Sequence, residues 1–169
     1  GVDLDEAAAG IISAAYGFQG QKCSACSRAI VHENVYDKLL EKLVKKANSI
    51  TVGAAKEQSN YMGPVINKGS MEKMLEYIQT GVKEGGRLVA GGTQASGDGY
   101  FLRPTIIADV DPKATISQEE IFGPVLAVIK AKDFDNALEI ANNTEFGLTG
   151  AVYSKNRKRL EKAKEHFHC

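Results

Sequence analysis

The sequence predicts an α/β fold, a largely parallel sheet layered between helices, on three observations. Short apolar runs of strand type alternate along the chain with longer segments whose apolar residues recur at helical spacing. The helical segments carry their own start and stop residues: Asn67 and Asp133 at two beginnings, Gly85-Gly86 at one end. No flexible stretch is long enough to be a domain linker and no repeat is visible, so one domain is expected over 1–169.

Taken in order, Asp5 to about Ala15 forms a short helix with Ile11, Ile12 and Ala15 on one side. Arg28 to His32 reads as a strand. Val35, Leu39, Leu40, Leu43, Val44 and Ala47 then recur at helical spacing, opposite a solvated face of Lys38, Glu41, Lys42, Lys45 and Lys46. The helix that Asn67 caps carries the stripe Met71, Met74, Leu75, Ile78 and Val82, in which the methionines are core filler. Arg87 to Ala90 is a short strand, Gly91 to Gly99 the main flexible loop, and Leu126 to Ala131 a further strand. Asp133 caps a helix with Phe134, Ala137, Leu138 and Ala141 inward, and Thr149 to Tyr153 reads as the last strand.

Composition narrows the function classes. With 43% hydrophobic and 25% charged residues the chain can bury a real core. Twenty-one basic residues balance twenty-one acidic ones, so nothing favours a nucleic acid or an anionic membrane as partner. No apolar run approaches a membrane span, and the acidic start does not read as a secretory or transit segment. Three cysteines without a secretory context point to reduced thiols in the cytosol, or in a mitochondrial matrix if the source is eukaryotic.

Cys23 is the candidate nucleophile. It follows Gly20-Gln21-Lys22 and precedes the small Ser24 and Ala25, residues that let backbone N–H dipoles approach a sulfur closely. A thiol attacks a carbonyl as its thiolate, and Lys22 and Arg28 are the nearby cations in sequence. Cys23-x-x-Cys26 also reads as a redox pair, although it leads from a helix into a strand, the reverse of a thioredoxin-type motif. His166, His168 and Cys169 do not complete a standard zinc ligand spacing and read as a frayed helix end, so no metal is expected. Gly85-Gly86 and Gly91-Gly92 lack the Gly-x-Gly-x-x-Gly pattern of a phosphate cradle.

The pattern Tyr16-x-x-x-Gly20-Gln21-x-Cys23-Ser24-Ala25-x-Ser27 resembles the active-site signature of the aldehyde dehydrogenases, and Glu119-Glu120-Ile121-Phe122-Gly123-Pro124-Val125 resembles a second signature of that family. Gly99-Tyr100-Phe101-Leu102-Arg103-Pro104-Thr105, and Tyr153 after Gly147-Leu148-Thr149-Gly150-Ala151-Val152, are similar to the branch that acts on 1-pyrroline-5-carboxylate and its open form, L-glutamate 5-semialdehyde. The resemblance covers essentially the whole chain.

The resemblance implies NAD(P)-dependent oxidation of an aldehyde through a thiohemiacetal and a thioester on Cys23, within proline catabolism. It implies that Glu120 binds the nicotinamide ribose, that Phe122 shapes the nicotinamide site and that Ser24 helps hold the substrate carboxylate. NAD is the expected cofactor, with NADP open, and the whole enzyme is expected to be a homo-oligomer. The family's general-base glutamate and oxyanion asparagine have no counterpart here, so residues 1–169 are expected to be a catalytic domain truncated at both ends, without the nucleotide-binding domain and the oligomerisation segment. Such a piece is expected to keep its core, to self-associate through uncovered apolar surface, and to bind NAD weakly and oxidise no aldehyde. The other readings are an aldehyde dehydrogenase of another substrate branch, a non-catalytic interaction module and a Cys23/Cys26 thiol-redox protein.

Overall fold

The computed structural model describes residues 2–169. Four strands form one sheet in the order β1-β4-β3-β2: β1 is Arg28–His32, β2 Arg87–Ala90, β3 Thr105–Ala108 and β4 Val125–Ala131. β4 runs parallel to both β1 and β3, and only β2 is antiparallel to its neighbour. The expected α/β class and the largely parallel sheet are both present.

Among the described residues there are six helices, α1 (Leu4–Tyr16), α2 (Glu33–Asn48), α3 (Lys68–Lys83), the single turn α4 (Thr115–Gln118), α5 (Phe134–Asn142) and α6 (Arg157–His166); the first five cover the two faces and α6 packs on α5. Successive strand residues point to opposite faces, so β4 divides its side chains between two cores. Leu126 and Val128 join Ile106 and Ala108 of β3 beneath α1 and α2, while Val125, Ala127 and Ile129 join Ile107 beneath α3, α4 and α5. A strand covered on both faces is apolar almost throughout, which is why Val125 to Ile129 is a continuous apolar run without alternation, broken only at the exposed Lys130.

Helix ends follow the capping residues. Asn67 accepts from the Ser70 N–H at 2.8 Å, and Asp133 accepts from the Asn136 N–H at 2.8 Å. Asp3 does the same for α1, with Asp5 and Glu6 adding negative charge where the helix dipole is positive.

Three expectations need correction. Thr149 to Tyr153 is not a strand: its backbone pairs with no neighbour among the described residues, and Thr149, Gly150, Ala151 and Tyr153 are exposed. A β-like pattern stays irregular where no strand supplies hydrogen bonds. Val82 faces solvent, and Gly81 turns inward in its place, because a side chain at 81 would run into Ile116. In α5 the buried residues are Leu138 and Ile140, whereas Phe134, Ala137 and Ala141 are only half-buried.

Candidate active site

The loop that carries Cys23 is shaped by three residues in the left-handed backbone region. α1 ends at Tyr16, and the 3-10 turn Gly17–Gly20 follows with φ of 55° at Phe18, 59° at Gln19 and 67° at Gly20. Positive φ is uncommon for residues other than glycine, so the loop is held by its surroundings. With its amide oriented to satisfy both groups, Gln19 accepts from the Gly63 N–H at 2.8 Å and donates to the Phe18 carbonyl at 3.0 Å. Gln21 Oε1 accepts from the Ile66 N–H at 2.9 Å, and the Cys26 N–H donates to the Ala14 carbonyl at 3.1 Å. Between these anchors Lys22–Ala25 closes a tight turn, with Cys23 and Ser24 exposed at its centre.

Gly20 is where the two sequence signatures meet. A Cβ built there would run into the Gly123 carbonyl and would stand 2.9 Å from the Ala15 carbonyl oxygen. Gly123 is itself closed in by Met74 of α3. The element Phe122-Gly123-Pro124 is thus pressed against the loop that leads to Cys23, three residues away. Buried hydrogen bonds tie the same elements together: the Tyr16 hydroxyl donates to the Thr105 carbonyl at 2.9 Å, and the Thr105 N–H donates to the Pro124 carbonyl at 2.9 Å.

Both loops open adjacent parallel strands, Cys23 ahead of β1 and Phe122 ahead of β4, so both lie at the amino end of the parallel strands. Open α/β sheets more often bind ligands at the carboxyl end. Here the left-handed turn after α1 brings Cys23 to the other edge.

The second signature presents Glu120 and Phe122 outward. Glu119 Oε2 accepts from the Tyr77 hydroxyl at 2.6 Å, and Ile121 is buried. Glu120 lies between them, exposed and without a hydrogen bond or ion pair among the described residues. Phe122 has φ of 57°, and its side chain is 44% exposed. Cys23, Ser24, Glu120 and Phe122 are therefore carried to neighbouring loops with their side chains accessible.

The two cysteines of the motif differ. Cys26 donates its S–H to the Arg28 carbonyl at 3.5 Å, and burial pushes its pKa up to about 11. A thiol so raised is a poor attacking thiolate near neutral pH, which weighs against dithiol exchange. Cys23, Cys26 and Cys169 are all free. Arg28 does not serve Cys23: its guanidinium donates to the carbonyls of Ile140 and Ala141, at 3.2 and 3.0 Å, and closes the carboxyl end of α5. Iodoacetamide near pH 7 is therefore expected to label Cys23 well ahead of Cys26 in peptide mapping. Equal rates would remove the distinction between the two thiols.

Gln19, Gln21 and Tyr77 are residues of the site that sequence reasoning missed. The signal for Gln21 lay inside the Gly-Gln-x-Cys pattern, but its partner Ile66 is 45 positions away. Among the described residues no group of three or more His, Cys, Asp or Glu is placed to hold a metal ion, and no helix is long and apolar enough to cross a membrane.

The aldehyde dehydrogenase family profile matches residues 1–169. The chain is 58% identical over 166 residues to 1-pyrroline-5-carboxylate dehydrogenase of Geobacillus sp. (strain WCH70), covering 98% of this chain and 32% of that protein. It is 59% identical to 1-pyrroline-5-carboxylate dehydrogenase 1 of Halalkalibacterium halodurans over the same shares. The crystal structure of the Thermus 1-pyrroline-5-carboxylate dehydrogenase with bound NAD superposes with a TM-score of 0.95 at 51% identity, covering 99% of this chain and 32% of that one. The chain thus spans about a third of the length of the curated relatives it matches. With residues 1–169 all matched by the family profile, this chain belongs to the aldehyde dehydrogenase family.

Proposed function

We propose that the complete protein oxidises L-glutamate 5-semialdehyde to glutamate with NAD, a step of proline breakdown, and that residues 1–169 are its catalytic domain. The observation that carries this reading is the contact of Gly20 with Gly123, which puts the Cys23 turn beside the Glu120-Phe122 loop. The substrate and the cofactor rest on similarity to the relatives named 1-pyrroline-5-carboxylate dehydrogenase and to the NAD-bound Thermus structure.

Cys23 is exposed on its turn, so an aldehyde can reach its sulfur. Its thiolate adds to the aldehyde carbon, forming the C–S bond and leaving the charge on oxygen, where the Cys23 backbone N–H is one donor to the oxyanion. Glu120 fits a ribose, because both its carboxylate oxygens are free to accept from a pair of hydroxyls, and the exposed Phe122 ring offers a flat apolar face. NAD, when bound, accepts the hydride that leaves the substrate carbon. The thioester left on Cys23 is cleaved by water, with glutamate and the free thiol as products. By the family resemblance, the base for that water and the asparagine donor to the oxyanion would come from residues outside 1–169. Ser24, next to Cys23, offers its hydroxyl to the substrate carboxylate.

The test is NADH formation by the complete protein. L-glutamate 5-semialdehyde is expected to exceed an aliphatic aldehyde of equal length without the carboxylate by roughly a hundredfold or more in kcat/KM, since a site built for a polar group rejects the analogue that lacks it. Equal values would overturn the substrate assignment. Glu120→Gln is expected to raise the KM for NAD and slow turnover while costing about 0.5 kcal/mol or less in stability, as an exposed substitution does. Unchanged kinetics in this variant would return Glu120 to an ordinary surface carboxylate.

A further inference from the structure

The direction of Glu120 is set from α3. We propose that Tyr77 is a positioning residue for cofactor binding, holding Glu119 so that the next residue, Glu120, is presented outward to the ribose. The inference rests on the role proposed for Glu120 above.

The geometry is a cradle of three residues on one face of α3. Tyr77, Gly81 and Glu84 stand four and then three positions apart, so they share a side of the helix. α4 lies against that side with each of its parts matched. The Glu84 carboxylate accepts from the Thr115 N–H at 2.8 Å and from the Thr115 hydroxyl at 2.7 Å, closing the start of the turn. Gly81 leaves the space that Ile116 occupies, since a Cβ at 81 would stand 2.6 Å from Ile116 Cδ1. Tyr77 grips Glu119, the residue that ends the turn, at 2.6 Å.

A helix of one turn does not hold its own shape, because nucleation is costly and the first hydrogen bond fixes several residues at once. The turn therefore depends on these contacts, and on the Gln118 side chain, which donates to the Pro112 and Asn143 carbonyls at 2.6 and 2.9 Å. At Glu119, just past the turn, the backbone takes extended angles, with φ of −108° and ψ of 152°. Glu119 is tied to α3 and Ile121 is buried in the core beneath it, so Glu120 is left facing the other way. The Tyr77 hydroxyl thus holds the residue immediately before the one it orients. The pair is charge-assisted, with Lys73 above the Tyr77 ring at 5.5 Å from its centroid.

The experiment titrates NAD into the complete protein by calorimetry, for wild type, Tyr77→Phe, Glu119→Ala, Glu119→Gln and Glu120→Gln. Tyr77→Phe and Glu119→Ala are expected to weaken NAD binding by roughly three- to tenfold, the range of a single hydrogen bond. Glu119→Gln keeps an acceptor for the Tyr77 hydroxyl and is expected to restore most of the affinity. Glu120→Gln is expected to lose at least as much as Tyr77→Phe, and iodoacetamide labelling of Cys23 should be the same in all five proteins. Wild-type affinity in Tyr77→Phe or Glu119→Ala, alongside a weakened Glu120→Gln, would overturn the positioning role and leave the Glu120 assignment standing. Wild-type affinity in Glu120→Gln would overturn both.

Discussion

Cys23→Ala in the complete protein is expected to lower kcat by about 10⁴-fold or more, the scale on which removal of a covalent nucleophile acts. The size follows from what is lost. Without a C–S bond there is no tetrahedral adduct from which hydride can leave and no thioester for water to cleave. Cys23 is exposed, and its side chain makes no hydrogen bond among the described residues, so melting should be unchanged and NAD should bind as before. Cys23→Ser is expected to be nearly as inactive, because an alcohol is far less acidic than a thiol. The measurement is single-turnover NADH formation with L-glutamate 5-semialdehyde. Residual kcat within tenfold of wild type in Cys23→Ala would sink the assignment of the nucleophile.

The largest effect on folding is expected at Gly20. Gly20→Ala places a methyl group into the Gly123 carbonyl and near that of Ala15, on a backbone with φ of 67°. Strain and overpacking together should cost about 2–4 kcal/mol. Gly85 separates the two contributions, since its φ is 98° and a Cβ there meets nothing within 4 Å. Gly85→Ala carries the backbone penalty alone and should cost only about 1 kcal/mol. Urea unfolding of both variants compares them directly. Gly20→Ala should in addition move the Cys23 turn off the Phe122-Gly123-Pro124 element and lower turnover, whereas Gly85→Ala should not. Equal destabilisation would mean that the contact between the two signatures gives way without cost.

Local chemistry made much of this fold readable. α2 and α3 were legible because each buries one face, α3 also by its Asn67 cap, and β1, β2 and most of β4 because they are short apolar runs. β3 escaped notice for the opposite reason: four residues buried on both faces give neither alternation nor length. α4 is a single turn whose partners Glu84 and Tyr77 are 31 and 42 positions away. Thr149 to Tyr153 shows the converse, a strand-like composition with no neighbour to pair. In the site, Cys23, Ser24, Glu120 and Phe122 were legible as pieces of two patterns. Their meeting at Gly20 and Gly123 was not, because a glycine records only that space is needed and not what fills it. The turning of Arg28 away from Cys23 to the end of α5 was likewise invisible, since a guanidinium within sequence reach of the sulfur has several carbonyls to choose from.

The pairing of β1 with β4 has a consequence for how the protein is made. Arg28 lies opposite Ala127, so among the described residues the strand that follows the Cys23 turn gains its hydrogen-bonded neighbour only when β4 has been synthesised. At ribosomal speeds of roughly 5–20 residues per second, the hundred or so residues between them take on the order of 5–20 s. Throughout that interval the nascent chain carries the thiol proposed as the nucleophile, on a loop whose backing element Phe122-Gly123-Pro124 does not yet exist. Codon choice between β2 and β4 therefore controls how long Cys23 waits unassembled, and slow translation there is expected to increase oxidation of the newly made enzyme at this thiol.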